Sequence, residues 1–265
     1  MKIVVLVKEV PDMTRVKFDR EKGIVDRSSA EAEINPFDMN ALQAAVDLKK
    51  QFGAEVTVLT MGPPKAVKSL KDAYARGADR GVLLTDRKFG GADTCATSYT
   101  LAAGIRKIED YDLIICGEKS VDGDTAQVGA EVAEFLYLPH SYNVESIDGV
   151  TEDSITVTTE KICGYNQKRR MKLPALISVT KNINHPQLPT VDRKLESLDV
   201  EMESFGLADL CEFMTEEDAG FKGSPTKVVK IEVPKEETRE SRIFRDNKVD
   251  FFKAVDSEFK KFNIV

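Results

Sequence analysis

Four short apolar runs, at residues 2–7, 55–60, 80–85 and 113–116, recur through the first half of the chain with one helical pattern between each successive pair. The first of them, Lys2-Ile3-Val4-Val5-Leu6-Val7, is β-branched and continuous rather than alternating. A strand with one face in water alternates apolar and polar side chains. A strand without that alternation is covered on both faces, as in parallel sheets flanked by helices. The pattern therefore predicts an α/β fold, a Rossmann-like, mostly parallel sheet with helices on both faces and right-handed crossovers. The 265 residues suffice for one large domain, or for one domain of about 150 to 200 residues with an appendage.

Punctuation residues place the helices. Asn40 can cap a helix whose Ala41, Ala44, Ala45 and Leu48 share one face, with Gly53 as its stop. Gly62-Pro63-Pro64 leads into a helix over 65–76 that ends at Gly77, and Asp93 or Thr94 opens a helix to about Ile108. After Pro139 the period changes: residues 154–159 and 172–180 are expected as strands bracketing a turn near Gly164, extending the sheet in antiparallel fashion. From Asn182 onward periodicity fades and prolines recur at 186, 189, 225 and 234, so this segment is not expected to form a core of its own. A last amphipathic helix is predicted over 248–262. Its stripe of Phe251, Phe252, Val255, Phe259 and Phe262 needs another surface to cover it.

Composition removes several functions. A net charge of −7 argues against nucleic-acid binding, and the basic cluster Lys168-Arg169-Arg170 is better explained as a solvated face or a partner surface. Cys95, Cys116, Cys163 and Cys211 stand far apart without a CxxC pair, which favours reduced thiols over a metal or iron-sulfur cage. No run of 18 apolar residues occurs and the chain opens directly on a strand, so a cytoplasmic protein without membrane insertion is expected. His140 and His185 sit beside prolines and pair with no nucleophile. Hydrolysis has no candidate catalytic residue.

Ligands of open parallel sheets bind outside the carboxyl ends of the strands. Three loops fall there: 61–64, 89–94 and 117–125. The last leads from the fourth strand through Asp122-Gly123-Asp124-Thr125-Ala126-Gln127 into a helix, and backbone N–H groups at such a start attract phosphate. It is neither GxGxxG nor a Walker A loop. Gly123 lets a ligand approach, and Ser120 and Thr125 offer hydroxyls; a plain helix cap by Asp124 or Thr125 accounts for the same residues equally well. Gly90-Gly91-Ala92-Asp93-Thr94, with Thr97 one turn on, is a second anion-site candidate or an ordinary glycine turn with an Asp cap. Asn35-Pro36-Phe37-Asp38 offers an amide and a fixed turn.

Taken together, these segments resemble the beta (small) subunit of electron-transfer flavoprotein. The likeness runs through residues 3–12, Asn35 to Asp38, Gly62-Pro63, Arg76-Gly77-Ala78-Asp79, Asp122 to Gln127 with Gly129, and Leu173-Pro174-Ala175. It implies a nucleotide/FAD-binding domain over 1–182 and a partner-recognition segment with a C-terminal arm over 183–265. Simpler family members hold AMP; electron-bifurcating members hold FAD in the same site. The matching positions here are the Leu6 backbone, Asn35, Pro36, Phe37, Asp38, Met61, Gly62 and the segment from Asp122 through Val128 and Gly129 to Ala133.

The resemblance to bifurcating members adds Gly90, Gly91, Asp93, Thr94 and Thr97, and a second glycine loop suits a ligand with a pyrophosphate. FAD is therefore expected, with AMP as the alternative. Cys95 departs from the family's usual small residue. The implied chemistry is hydride acceptance from NADH and separate delivery of two electrons, one toward an alpha-subunit FAD and one toward a ferredoxin-like low-potential acceptor. An acyl-CoA dehydrogenase-like or other flavin dehydrogenase is the implied partner, with Leu188 and Val191 as docking residues. Phe251, Phe252 and Phe259 belong to an arm resembling the one that packs on the alpha subunit. Two other classes stay open: an ATP pyrophosphatase, whose SGGxDS loop is echoed with Phe89 in place of serine, and a homodimeric stress-type ATP-binding domain.

Overall fold

The four apolar runs lie side by side within a nine-stranded sheet. The computed structural model of the chain describes residues 1–12, 17–19, 24–26, 32–229, 243–245 and 248–263. In chain order the strands are β1 Lys2–Leu6, β2 Glu9–Pro11, β3 Lys17–Asp19, β4 Ile24–Asp26, β5 Ala32–Ile34, β6 Glu55–Met61, β7 Arg80–Leu84, β8 Leu113–Gly117, β9 His140–Val150, β10 Ser154–Ile162, β11 Tyr165–Lys172, β12 Ala175–Val179 and β13 Glu203–Phe205. The helices are α1 Pro36–Phe52, α2 Val67–Ala75, α3 Thr94–Ile108, α4 Val128–Phe135, α5 Val191–Asp199, the single turn α6 Gly220–Gly223 and α7 Lys248–Lys261.

The large sheet has the order β11-β10-β9-β12-β8-β1-β6-β7-β13. It is parallel from β9 to β13, and β10 and β11 add an antiparallel hairpin at one end. Side chains of β1 alternate between two cores. Ile3 and Val5 join Leu42 and Ala45 of α1 and Leu70 of α2, whereas Val4 and Leu6 join Ile105 of α3 and Val132 of α4. Burying a side chain of this size contributes roughly 1.5 to 3 kcal/mol. Continuous apolarity in the sequence thus reports two covered faces.

Strand order reverses at β1. The chain builds β6 and β7 on one side of it, then returns to place β8 and β12 on the other. β1 leads toward α1 on one face and β8 toward α4 on the opposite face. In open sheets of this kind the ligand crevice is expected at such a reversal, outside the carboxyl ends of β1 and β8.

Several local expectations change. α1 starts at Pro36, whose fixed φ suits the first helical position, with Asn35 as the capping residue. Asn40 is instead buried inside the helix and donates from Nδ2 to the Asn184 carbonyl at 3.0 Å. The C-terminus is as expected: Gly53 is left-handed at φ 66° and its N–H bonds the Lys49 carbonyl. The span 172–180 is not one antiparallel strand: β11 ends at Lys172, and β12 begins at Ala175 and pairs in parallel with β8 and β9. β9 and β13 have no counterpart among the expected strands.

Met1–Val229 form one compact unit and Lys230–Val265 a second. The first extends past the division expected at 182/183, since β13 pairs with β7 and Leu210, Met214 and Ala219 join the core around α3. In the second unit α7 carries Phe251, Phe252 and Phe259 at 46%, 66% and 44% exposure, so the expected stripe is present and open. Pro234 lies outside the described residues. Among the described residues no helix is long and apolar enough to cross a membrane.

Gly104 of α3 faces the fully buried Leu84 of β7, where an added Cβ would lie 2.7 Å from Leu84 Cδ1. Gly104→Ala should gain helix propensity of about 1 kcal/mol but lose more to overpacking. Urea unfolding is expected to register a net loss of about 1 to 2 kcal/mol.

Candidate functional site

The crevice between β1 and β8 is held by the residues that open α1. Asn35 needs no side chain to start the helix, since its carbonyl accepts the N–H groups of Asp38 and Met39 at 2.9 and 3.1 Å. Its amide is used across the crevice: Nδ2 donates to the Lys119 carbonyl at 2.8 Å and Oδ1 accepts from the Val121 N–H at 3.1 Å. Asp38 bridges the strand ends. Oδ2 accepts from the Lys8 N–H beyond β1 at 2.8 Å, and Oδ1 accepts from the Gly117 N–H ending β8 at 3.1 Å. Gly117 has no room for a side chain, because a Cβ there would strike the Asp38 carboxylate and Phe37.

Lys8 ties the same point to the glycine-bearing loop. Its carbonyl accepts from the Asn35 N–H at 2.8 Å, and its Nζ pairs with Asp122 Oδ1 at 2.7 Å and reaches Ser120 Oγ at 3.4 Å. Asp124 pairs with Lys119 at 2.7 Å. Asp122 and Asp124 thus face lysines, which reduces their repulsion of an anion. Asp124 and Ala126 are left-handed at φ 53° and 55°; for alanine this costs about 1 kcal/mol. Neither Asp124 nor Thr125 caps α4. That helix begins at Val128 after Gln127, without a side-chain cap. Gly129 lets its first turn close on β8, where a Cβ would sit 2.8 Å from Cys116 Sγ.

The start of α3 has a different character. Asp93 caps it, accepting the Ala96 N–H at 3.0 Å, and also accepts the N–H and hydroxyl of Thr226 at 2.9 and 2.7 Å. Burial works against this carboxylate, but the bonds from Ala96 and Thr226 outweigh it and hold the group below its ordinary range. Gly91 is left-handed at φ 75°, and the N–H of Phe221 bonds the Gly90 carbonyl at 3.0 Å, so the segment after residue 219 lies over the loop. Thr94 Oγ1 and Ser98 Oγ both donate to Glu131 of α4, at 3.2 and 2.9 Å, which brings the two helix starts together. Thr97 is half-buried in the same turn.

The expected residues thus gather at one sheet edge: Leu6 and Asn35 to Asp38 at β1 and α1, the 122–129 segment at β8 and α4, and Gly90 to Thr97 at α3. Met61 and Gly62 end the neighbouring β6, with the Gly62 N–H on the Leu84 carbonyl at 3.0 Å. Leu188 and Val191 stand apart from this edge, 86% and 75% exposed. Val191 belongs to α5, which is tied to α2 through Lys71 to the Leu198 carbonyl and Arg193 to the Tyr74 carbonyl. Leu195 and Leu198 of α5 are also exposed. With spacings of four and three, Val191, Leu195 and Leu198 share one face of α5. Glu131 lies within the 122–133 segment expected at the site, whereas the parts of Lys8 and Thr226 come from tertiary contacts that the sequence does not display.

A mostly parallel sheet whose strand order reverses at β1, with helices on both faces, defines a doubly wound α/β subunit. The chain belongs to the electron transfer flavoprotein family, on the beta-subunit side: the model of the electron transfer flavoprotein domain matches residues 22–205, and several beta subunits are similar over most of the chain. Electron transfer flavoprotein subunit beta of Clostridium acetobutylicum is 44% identical over 230 residues, 87% of each chain. Subunit CarD of the caffeyl-CoA reductase-Etf complex of Acetobacterium woodii is 39% identical over 229 residues, 86% of each chain. Protein FixA of Bradyrhizobium diazoefficiens is 38% identical over 244 residues, 87% of this chain and 82% of the relative. The chain is accordingly an electron-transfer subunit rather than an ATP pyrophosphatase or a stress-type domain.

Burial pushes the Asp38 carboxyl up to about 7, against the opposing hydrogen bonds from Asn35, Lys8 and Gly117. The unfolded carboxyl titrates near 3.8. A folded value raised in this way stabilises the fold fully below the unfolded pKa, and that contribution is lost as pH rises through 7. Asp38→Asn should therefore gain stability relative to wild type between pH 5 and 8, by about 4 kcal/mol at most. Paired Tm measurements across that range check this; a constant Tm difference would mean that the carboxyl titrates normally.

Proposed function

We propose that this subunit binds FAD at the β1/β8 crevice and serves flavin-based electron bifurcation, taking electrons from NADH. The observation that carries this proposal is the pairing of two helix starts at one sheet edge. α4 begins uncapped beyond the 122–127 loop, and the Thr94 and Ser98 bonds to Glu131 set the start of α3 beside it. One such start suffices for AMP, whereas two adjacent ones suit a pyrophosphate. The residues present fit the group: Gln127 to Gly129, Thr94 and Thr97 would hold phosphates, and Lys8 and Lys119 balance the acidic loop.

When bound, FAD supplies hydride acceptance and the separate release of two electrons; the protein contributes binding, orientation and electrostatics. Asn35 fixes the 119–121 backbone, Gly129 allows close approach to β8, and the loop lysines keep the cradle from repelling an anion. No side chain of the site is required to move a proton. AMP at the same crevice is the second possibility, favoured by the Asp93 carboxylate that already occupies an N–H of α3. The native complex with its alpha subunit should contain two FAD per heterodimer, and one FAD with one AMP would overturn the assignment. Thr94→Ala combined with Thr97→Ala should weaken FAD retention here while leaving the alpha-subunit flavin in place. Equal loss of both flavins would refute a local phosphate site.

In this account the subunit is cytoplasmic and works with an alpha subunit, a flavin dehydrogenase and a ferredoxin-like acceptor. The likeness to a subunit of a caffeyl-CoA reductase complex supports a dehydrogenase of the acyl-CoA type. Leu188 and Val191 supply the apolar docking contact to it, and the phenylalanines of α7 pack on the alpha subunit. Leu188→Ala should slow electron transfer to the dehydrogenase about tenfold, measured by stopped-flow, with nucleotide content unchanged.

A further inference from the structure

Asp38 falls within the segment expected to touch the nucleotide, yet both of its oxygens are used within the protein. One takes the N–H of Lys8 and the other the N–H of Gly117, and the side chain is 7% exposed. Asn35 before α1, Phe37 of α1, and Cys116 and Gly117 of β8 adjoin it, and the Lys8 ammonium pairs with Asp122 rather than with Asp38. A buried carboxylate without a direct cationic partner is costly for a fold. Here it stands where two parallel strands part, joining the last N–H of each.

We propose that Asp38 is a positioning residue: by holding the Lys8 and Gly117 amides it sets the separation of β1 from β8 and so the place of the 118–127 cradle, without touching the nucleotide. This rests on the crevice being the nucleotide site. The chain of contacts is short. Gly117 leads directly into the loop, and Lys8, fixed by its N–H to Asp38 and by its carbonyl to Asn35, carries the ammonium that holds Asp122. Loss of one acceptor at Asp38 frees one strand end and shifts the loop relative to the start of α4.

Asp38→Asn separates positioning from simple support, since it preserves size and removes both the charge and one acceptor. In the nucleotide-stripped complex with the alpha subunit, this variant should melt no lower than wild type at pH 8, while its Kd for added AMP rises tenfold or more. Affinity within twofold of wild type would overturn the inference. So would a Tm and an affinity that fall together, because the carboxylate would then be a structural support only. A second measurement does not depend on the variant folding: in the wild-type complex, AMP should slow hydrogen exchange at the amides of Lys8 and Gly117 together. AMP binding that leaves both amides unchanged would also overturn it. A wild-type complex that binds neither AMP nor FAD at this subunit would instead refute the nucleotide site itself.

Discussion

The reversal of strand order at β1 is the constraint from which the site follows. Two parallel neighbours whose connections leave on opposite faces must part at their carboxyl ends, and each ends in N–H groups that the sheet no longer pairs. In this chain Asp38 takes the N–H groups of Lys8 and Gly117, and Asn35 takes the next contacts along the β8 loop. The start of α1 thereby becomes the frame of the crevice. What remains open at the edge is the backbone of the 122–127 loop and the first turn of α4.

Much of this was legible in the sequence where burial is two-sided. β1, β6, β7 and β8 were expected almost residue for residue, because a strand covered on both faces leaves no polar alternation to confuse its limits. Gly53 and Asp93 likewise identified helix ends through local chemistry alone. Legibility failed where partners are remote. Asn40 has the composition of a cap, but its amide is satisfied by Asn184, far away in sequence. β11 is polar and charged because it is the outermost strand of the sheet, where lysine and arginine are tolerated and deter further pairing. β13 is three residues long and takes its identity from β7.

The candidate site repeats the lesson at smaller scale. The loops that form it were recognisable by their glycines, yet the residues that hold them in register were not. Lys8 is one lysine after a strand, and Glu131 one glutamate on a helix; their roles come from Asp122, Thr94 and Ser98. Left-handed Asp124 and Ala126, together with the buried Asp38 carboxyl, concentrate unfavourable local geometry and burial in this one region. Such features persist where surrounding contacts over-determine the geometry, and they cluster at binding sites. At the α3 start Asp93 takes the Ala96 N–H and is itself held in place by Thr226.

In the proposed site the 122–129 segment and the uncapped start of α4 receive the phosphate of a bound nucleotide, with Asp38 behind them. An experimental structure of the native complex with its alpha subunit is the decisive measurement. Phosphate density is expected against the N–H groups of residues 127–129, with the Asp38 carboxyl still bonded to Lys8 and Gly117. Phosphate bound away from α4, or Asp38 in direct contact with the nucleotide, would contradict it.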